Sequence, residues 1–217
     1  LQEGRTVDVL IHNAGVLQPS KTRRTTADGL EETLAVNVLG PFLLTKLLLP
    51  ALERSTSARV VSISSRLHIP GVRGKPPRFD FHDPTLLNDY DPDRAYKNSK
   101  LAVMWFTYEL QRRLPPRSIT ANAVCPGFVP TTAAADARGI QRWLLRSVLP
   151  LMPFADSVEK AATGIGWAAT DPSIEGVGGR FFAACAEIQS SAESYEQDKA
   201  QRFWQLACEL ASTNDWP

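Results

Sequence analysis

Cysteine, histidine and net charge are all scarce in this chain. Its 217 residues hold three cysteines, Cys125, Cys185 and Cys208, with no metal spacing and no even-numbered disulfide framework. A small disulfide-stapled scaffold is excluded, and a reducing compartment, the cytoplasm, is the expected location. The three histidines, His12, His68 and His82, sit in unrelated contexts, with no metal spacing and no nucleophile elbow. They are expected to be structural or surface residues, and no metal is expected. A formal charge of +1 leaves no electrostatic footprint for nucleic acid, and Lys21, Arg23 and Arg24 read as a solvated loop. No uninterrupted apolar run reaches the roughly 18 residues of a membrane span. The most apolar stretch, 43–52, is interrupted by Lys46 and Pro50, so no membrane segment is expected. Repeats, low-complexity tracts and composition shifts are also missing, so residues 1–217 read as one domain.

Three short apolar, β-branched runs stand out. Val7 to His12 closes on Asn13-Ala14-Gly15, Val60 to Ser65 ends in hydroxyls, and Ile119 to Cys125 closes on Pro126-Gly127. Helical patterns separate them. Thr26 or Asp28 is expected to cap a helix running toward Arg54, with a kink at Gly40-Pro41 because proline removes a donor. A second helix is expected from Pro92 to Arg113, a short one over 139–149, one capped by Ser157 and ended by Asp171-Pro172, and a last from Tyr195 to Leu210. The proline-rich stretch 66–94 reads as a long loop, and 128–136 as a small, polar substrate loop. Strands alternating with helices predict an α/β fold with a parallel sheet, whose site lies beyond the carboxyl ends of the strands.

Tyr96-Lys97-Asn98-Ser99-Lys100 opens the second helix. Residues four apart share a helix face, so Tyr96 and Lys100 can serve one site. A free phenol has a pKa of about 10 and exchanges protons poorly at neutral pH. A neighbouring ammonium is expected to lower it, making a general acid or base for an alcohol or carbonyl oxygen. Alone, this spacing marks nothing more specific than a solvated helix face.

In context, the chain resembles the short-chain dehydrogenase/reductase family. The matching marks are Asn13-Ala14-Gly15, Asn37 within Val36-Asn37-Val38, Ser65, Tyr96 with Lys100, and Pro126-Gly127 followed by Thr131. Their wording, with Gly179-Arg180-Phe181-Phe182 near the end, is closest to the retinol dehydrogenase and WW-domain-containing oxidoreductase branch. The resemblance implies a Rossmann-type doubly wound sheet with helices on both faces, and NAD(P), with NADP slightly favoured. It implies catalytic roles for Ser65 (Ser64 being the alternative), Tyr96, Lys100 and Asn37. It implies coenzyme contacts from Asn13, Ala14, Gly15, Tyr96, Lys100, Pro126, Gly127 and Thr131. The substrate it implies is a small, lipophilic alcohol or carbonyl compound. A sugar-nucleotide epimerase shares the Tyr/Lys spacing, but the Asn-Ala-Gly and Pro-Gly wording favours a dehydrogenase.

One departure qualifies the match. The family's glycine-rich phosphate turn has no counterpart before Asn13, and the turns at Gly71–Gly74 and Gly176–Gly179 do not replace it. The expectation is an N-terminally incomplete domain that lacks its first strands. Alone it would be inactive, bind coenzyme weakly and expose an apolar strand edge prone to self-association into oligomers. The alternative expectation is a non-enzymatic truncated product or interaction module of the same fold.

Overall fold

A computed structural model describes residues 4–114, 118–129 and 155–217. Its centre is a five-stranded sheet of order β1-β2-β3-β4-β5. The strands are β1 (Val9–His12), β2 (Ala58–Ile63), β3 (Ile119–Cys125), β4 (Phe181–Ala183) and β5 (Ala186–Glu187). The first four run parallel. The two-residue β5 pairs antiparallel with β4, so the sheet is mixed at one edge. Among the described residues the crossovers are α1 (Glu32–Leu52), α2 (Pro92–Arg113) and α3 (Val158–Thr170), with α4 (Gln197–Leu210) closing the chain.

Alternation along the strands assigns the two faces. Leu10 and Val60 point into the core shared by α1, α2 and α4, while Val61 and Val124 face Ala168 and Ala169 of α3. The first core is aromatic: Phe42 meets the Trp204 ring edge-on at 4.9 Å, and Phe106 stacks on Trp204 at 6.0 Å. Helices therefore cover both faces, as a Rossmann-type fold requires. Val9 and Ile11 pair with Arg59 and Val61, hence point to the α3 side, yet remain 38% and 40% exposed.

Two local details differ from expectation. Glu31, rather than Thr26 or Asp28, caps α1: its buried carboxylate accepts from the N–H groups of Thr33 (2.9 Å) and Leu34 (2.8 Å). The irregularity in α1 is a π turn at Ala35–Leu39, just before Gly40-Pro41. Pro41 has no N–H to continue the four-residue ladder, and Gly40 donates instead to Ala35, one residue farther back. The whole helix, 21 residues with an 18-residue stretch of mean hydropathy 1.6, is long and apolar enough to cross a membrane by length and composition. It departs in that respect from the expectation drawn from the interrupted run. Here it joins two parallel strands and buries Leu34, Val38, Leu39, Phe42 and Leu52 in the core.

Candidate active site

Asp91 opens α2, its carboxylate accepting from the N–H of Arg94 at 2.8 Å, with Pro92 in the first turn where a missing N–H costs nothing. That fixes the phase of the next turn. Tyr96 and Lys100 share one side, and the Lys100 ammonium stands 5.4 Å from the centre of the phenol ring. Lys100 Nζ donates to the carbonyl of Ile63, the last residue of β2, at 3.0 Å. Lys97 and Asn98 point elsewhere. The Lys97 ammonium, 1% exposed, donates to the carbonyls of Arg73 (2.7 Å) and Lys75 (2.8 Å) and pairs with Asp93 at 2.6 Å. Those partners offset the desolvation of a buried cation. Asn98 exchanges two hydrogen bonds with the backbone of Arg78, at 2.8 and 2.9 Å. The same short motif thus clamps the proline-rich loop that borders the site.

Asn37 sits in the π turn, 3% exposed. Its Oδ1 accepts from the N–H of Val16 at 2.7 Å, and its Nδ2 donates to the Val16 carbonyl and to Ser99 Oγ, both at 3.0 Å. Ser99 in turn donates to the Tyr96 carbonyl at 2.7 Å. The exposed turn Asn13-Ala14-Gly15 is thereby held over α2. A Cβ at Gly15 would lie 3.3 Å from Asn37 Oδ1 and 3.6 Å from Lys100 Nζ, so glycine sets how close this backbone comes.

The two serines after β2 divide their work. Ser64 is buried and donates to the Lys100 carbonyl at 3.0 Å, tying strand to helix. Ser65 is half-buried, accepts from the N–H of Leu67 at 3.2 Å, and lies close enough to the Tyr96 phenol to pull its pKa down. After β3, Gly127 has φ +89°, and a Cβ there would collide with the Asp156 carboxylate. Asp156 also accepts from the N–H of Phe128 at 3.3 Å, donates its own N–H to the Phe128 carbonyl at 2.8 Å, and pairs with Lys160 at 2.6 Å. Thr131, the expected helix over 139–149, Trp143 and Phe154 lie outside the described residues.

The ionisation of the pair differs from expectation. Burial pushes the Tyr96 phenol up to about 12, against a smaller downward pull from the Ser65 hydrogen bond. Burial also brings Lys100 down to about 8. Desolvation of the phenolate outweighs the nearby cation. The Cys125 thiol at the end of β3 lies close enough to influence both groups. Its place at the carboxyl edge of a strand was the available signal. His68, a structural or surface residue by sequence, is fully buried and accepts the Ser190 hydroxyl at 2.8 Å on Nε2. Its Nδ1 faces the Ser65 carbonyl.

The chain matches the short chain dehydrogenase family over residues 1–76 and 88–141. It is 38% identical over 213 residues to retinol dehydrogenase 14 of Homo sapiens, covering 95% of this chain and 59% of that protein. Polyprenol dehydrogenase of Homo sapiens is also 38% identical over 213 residues, covering 95% of this chain and 62% of that protein. The chain therefore spans about 60% of the length of these relatives. Among solved structures, a blue fluorescent protein from a metagenomic library, in complex with NADPH, is 29% identical with a TM-score of 0.57. That match covers 82% of this chain and 63% of the other.

Proposed function

Because the chain belongs to the short chain dehydrogenase family, we propose that it serves an NAD(P)-dependent oxidoreductase interconverting an alcohol and a carbonyl compound. The observation that carries this reading is the convergence of Tyr96, Lys100, Ser65 and Asn37 beyond the carboxyl ends of β1 and β2. The nicotinamide end of a coenzyme suits the residues present. The turn Asn13-Ala14-Gly15 is exposed and small, and Lys100 has ammonium protons beyond the one given to Ile63. No glycine-rich helix N-terminus for the pyrophosphate occurs among the described residues. NADP is slightly favoured over NAD, in line with the NADPH held by the blue fluorescent protein.

When bound, the coenzyme supplies or accepts the hydride. Tyr96 passes its phenolic proton to the carbonyl oxygen in reduction, or takes one from the alcohol in oxidation. Ser65 holds the substrate oxygen against the phenol. Lys100 binds the ribose, and its charge favours the phenolate once that forms. Asn37 fixes the Val16 backbone and the Ser99 hydroxyl beside Lys100. Pro126 and Gly127 border the nicotinamide. Raised by burial, the phenol is protonated at neutral pH and has a proton to give to a carbonyl oxygen. Relatives named for retinol and polyprenol point to a lipophilic alcohol or aldehyde. Three free thiols, two of them buried, suit a reducing compartment such as the cytoplasm.

Following nicotinamide absorbance with long-chain isoprenoid aldehydes and alcohols, on protein made from the complete reading frame, tests the proposal. Turnover with either coenzyme supports it. Folded protein inert toward that panel and toward short aliphatic and cyclic carbonyls contradicts it.

A further inference from the structure

One residue holds the Ser65 carbonyl twice. After β2 the chain turns into the short 3-10 segment Arg66–His68, and the Ser65 carbonyl receives both the His68 N–H (3.3 Å) and the His68 ring nitrogen Nδ1. A carbonyl oxygen can only accept, so Nδ1 carries the proton. In a neutral ring Nε2 is then the acceptor, and the Ser190 hydroxyl lies 2.8 Å from it. The ring is fully buried, with its edge against Phe181 at 5.3 Å. Burial lowers its pKa to about 4, which keeps it neutral.

The far side of this contact is anchored to the helix that carries Tyr96. Ser190 Oγ lies 2.6 Å from Ser194 Oγ, and the Ser190 N–H donates to the Tyr195 hydroxyl at 3.0 Å. Tyr195 stacks on Tyr108 of α2 at 5.3 Å, and Trp105 of α2 donates to the Glu193 carbonyl at 3.0 Å. The contacts form a ring: Tyr96, Ser65, His68, Ser190, Tyr195, Tyr108, and back along α2.

We propose that His68 is a positioning residue for the proposed reaction: its Nδ1–H, held in one tautomer by Ser190, fixes the Ser65 peptide and so aims the Ser65 hydroxyl at Tyr96. The inference rests on the role of Ser65 proposed above. It goes beyond simple packing, because only one ring nitrogen does the aiming.

Asparagine and glutamine separate the two nitrogens. In His68→Asn the amide nitrogen falls near Nδ1 and keeps the donor to Ser65. In His68→Gln it reaches toward Nε2, keeps the contact with Ser190, and leaves the Ser65 carbonyl without its side-chain donor. Measured on the enzyme from its complete reading frame, kcat per folded molecule falls at least about tenfold in His68→Gln and no more than about threefold in His68→Asn. Coenzyme affinity stays within about twofold in both. In a Ser65→Ala background the glutamine change adds little further loss. Ser190→Ala leaves the ring in place but leaves Nε2 only the longer Ser191 N–H contact at 3.5 Å, and lowers kcat about threefold. It carries the test should the His68 variants fail to fold. Equal kcat values for Asn and Gln, or an unchanged Ser190→Ala enzyme, would overturn the inference. Wild-type turnover in Ser65→Ala alone would instead remove the role of Ser65 on which it rests.

Discussion

The ammonium of Lys100 stands 5.4 Å from the centre of the Tyr96 ring, one helical turn along the same side of α2. Both groups are desolvated, which raises the phenol and lowers the ammonium. The neutral form of each is thus favoured by its surroundings, while a phenolate beside a cation would stabilise both charges together. A site of this kind holds its proton until charge develops on the reacting oxygen.

The adjacent serines behave differently when truncated. Ser65→Ala lowers turnover by at least about tenfold while leaving the folded state intact, because its hydroxyl serves the phenol. Ser64→Ala removes the buried bond to the Lys100 carbonyl and costs about 1 kcal/mol of stability. Parallel urea titrations and steady-state kinetics on the two variants check the division.

Acid destabilises the fold between pH 6.5 and 4. His12 and His68 are buried and neutral, each lowered from 6.5 to about 4. In that window the unfolded chain binds protons that the native chain does not, so stability falls as pH falls. Each group contributes at most about 3 kcal/mol, complete above pH 6.5 and lost by pH 4. The His12 contact is testable alone: Thr45 donates to the Pro41 carbonyl, so His12 Nε2 donates to Thr45 at 2.8 Å. His12→Gln keeps that donor without titrating, and its urea midpoint falls about half as far between pH 7 and 4.5 as that of the wild type.

The 217-residue chain is expected to self-associate through β1. Val9 and Ile11 lie on a strand whose outer edge is unpaired among the described residues, with their side chains on an uncovered face. Size-exclusion chromatography of the chain expressed alone shows oligomers, and Val9→Lys with Ile11→Lys shifts them toward monomer. A monodisperse wild-type monomer contradicts this.

Much of the architecture was legible because the signals are local. The β-branched runs locate β1 to β3, Pro92 and the stop near Arg113 bound α2, and Ser157 caps α3 through the N–H of Lys160 at 3.1 Å. The cap on α1 was not legible, since glutamate reaches its own helix N–H groups only when the preceding turn is extended, as at Glu31. The π turn is indistinguishable from a kink in the sequence, because a proline shows that the ladder breaks but not how the backbone repairs it. β5 is two exposed residues long, too short for any alternation. In the site, spacing put Tyr96 and Lys100 on one face. It said nothing of burial, so the direction of the phenol shift came out reversed. Ser99, Cys125 and His68 join the site through contacts spanning the sequence, which no single motif records.

Kinetics paired with coenzyme titration of Tyr96→Phe test whether Tyr96 moves the proton. On the enzyme from its complete reading frame, kcat is expected to fall at least about a hundredfold with coenzyme affinity within about twofold. Lys100→Ala, which loses a charge serving both purposes, is expected to damage both quantities. Turnover in Tyr96→Phe within about tenfold of wild type would contradict the assignment, whatever the coenzyme affinity.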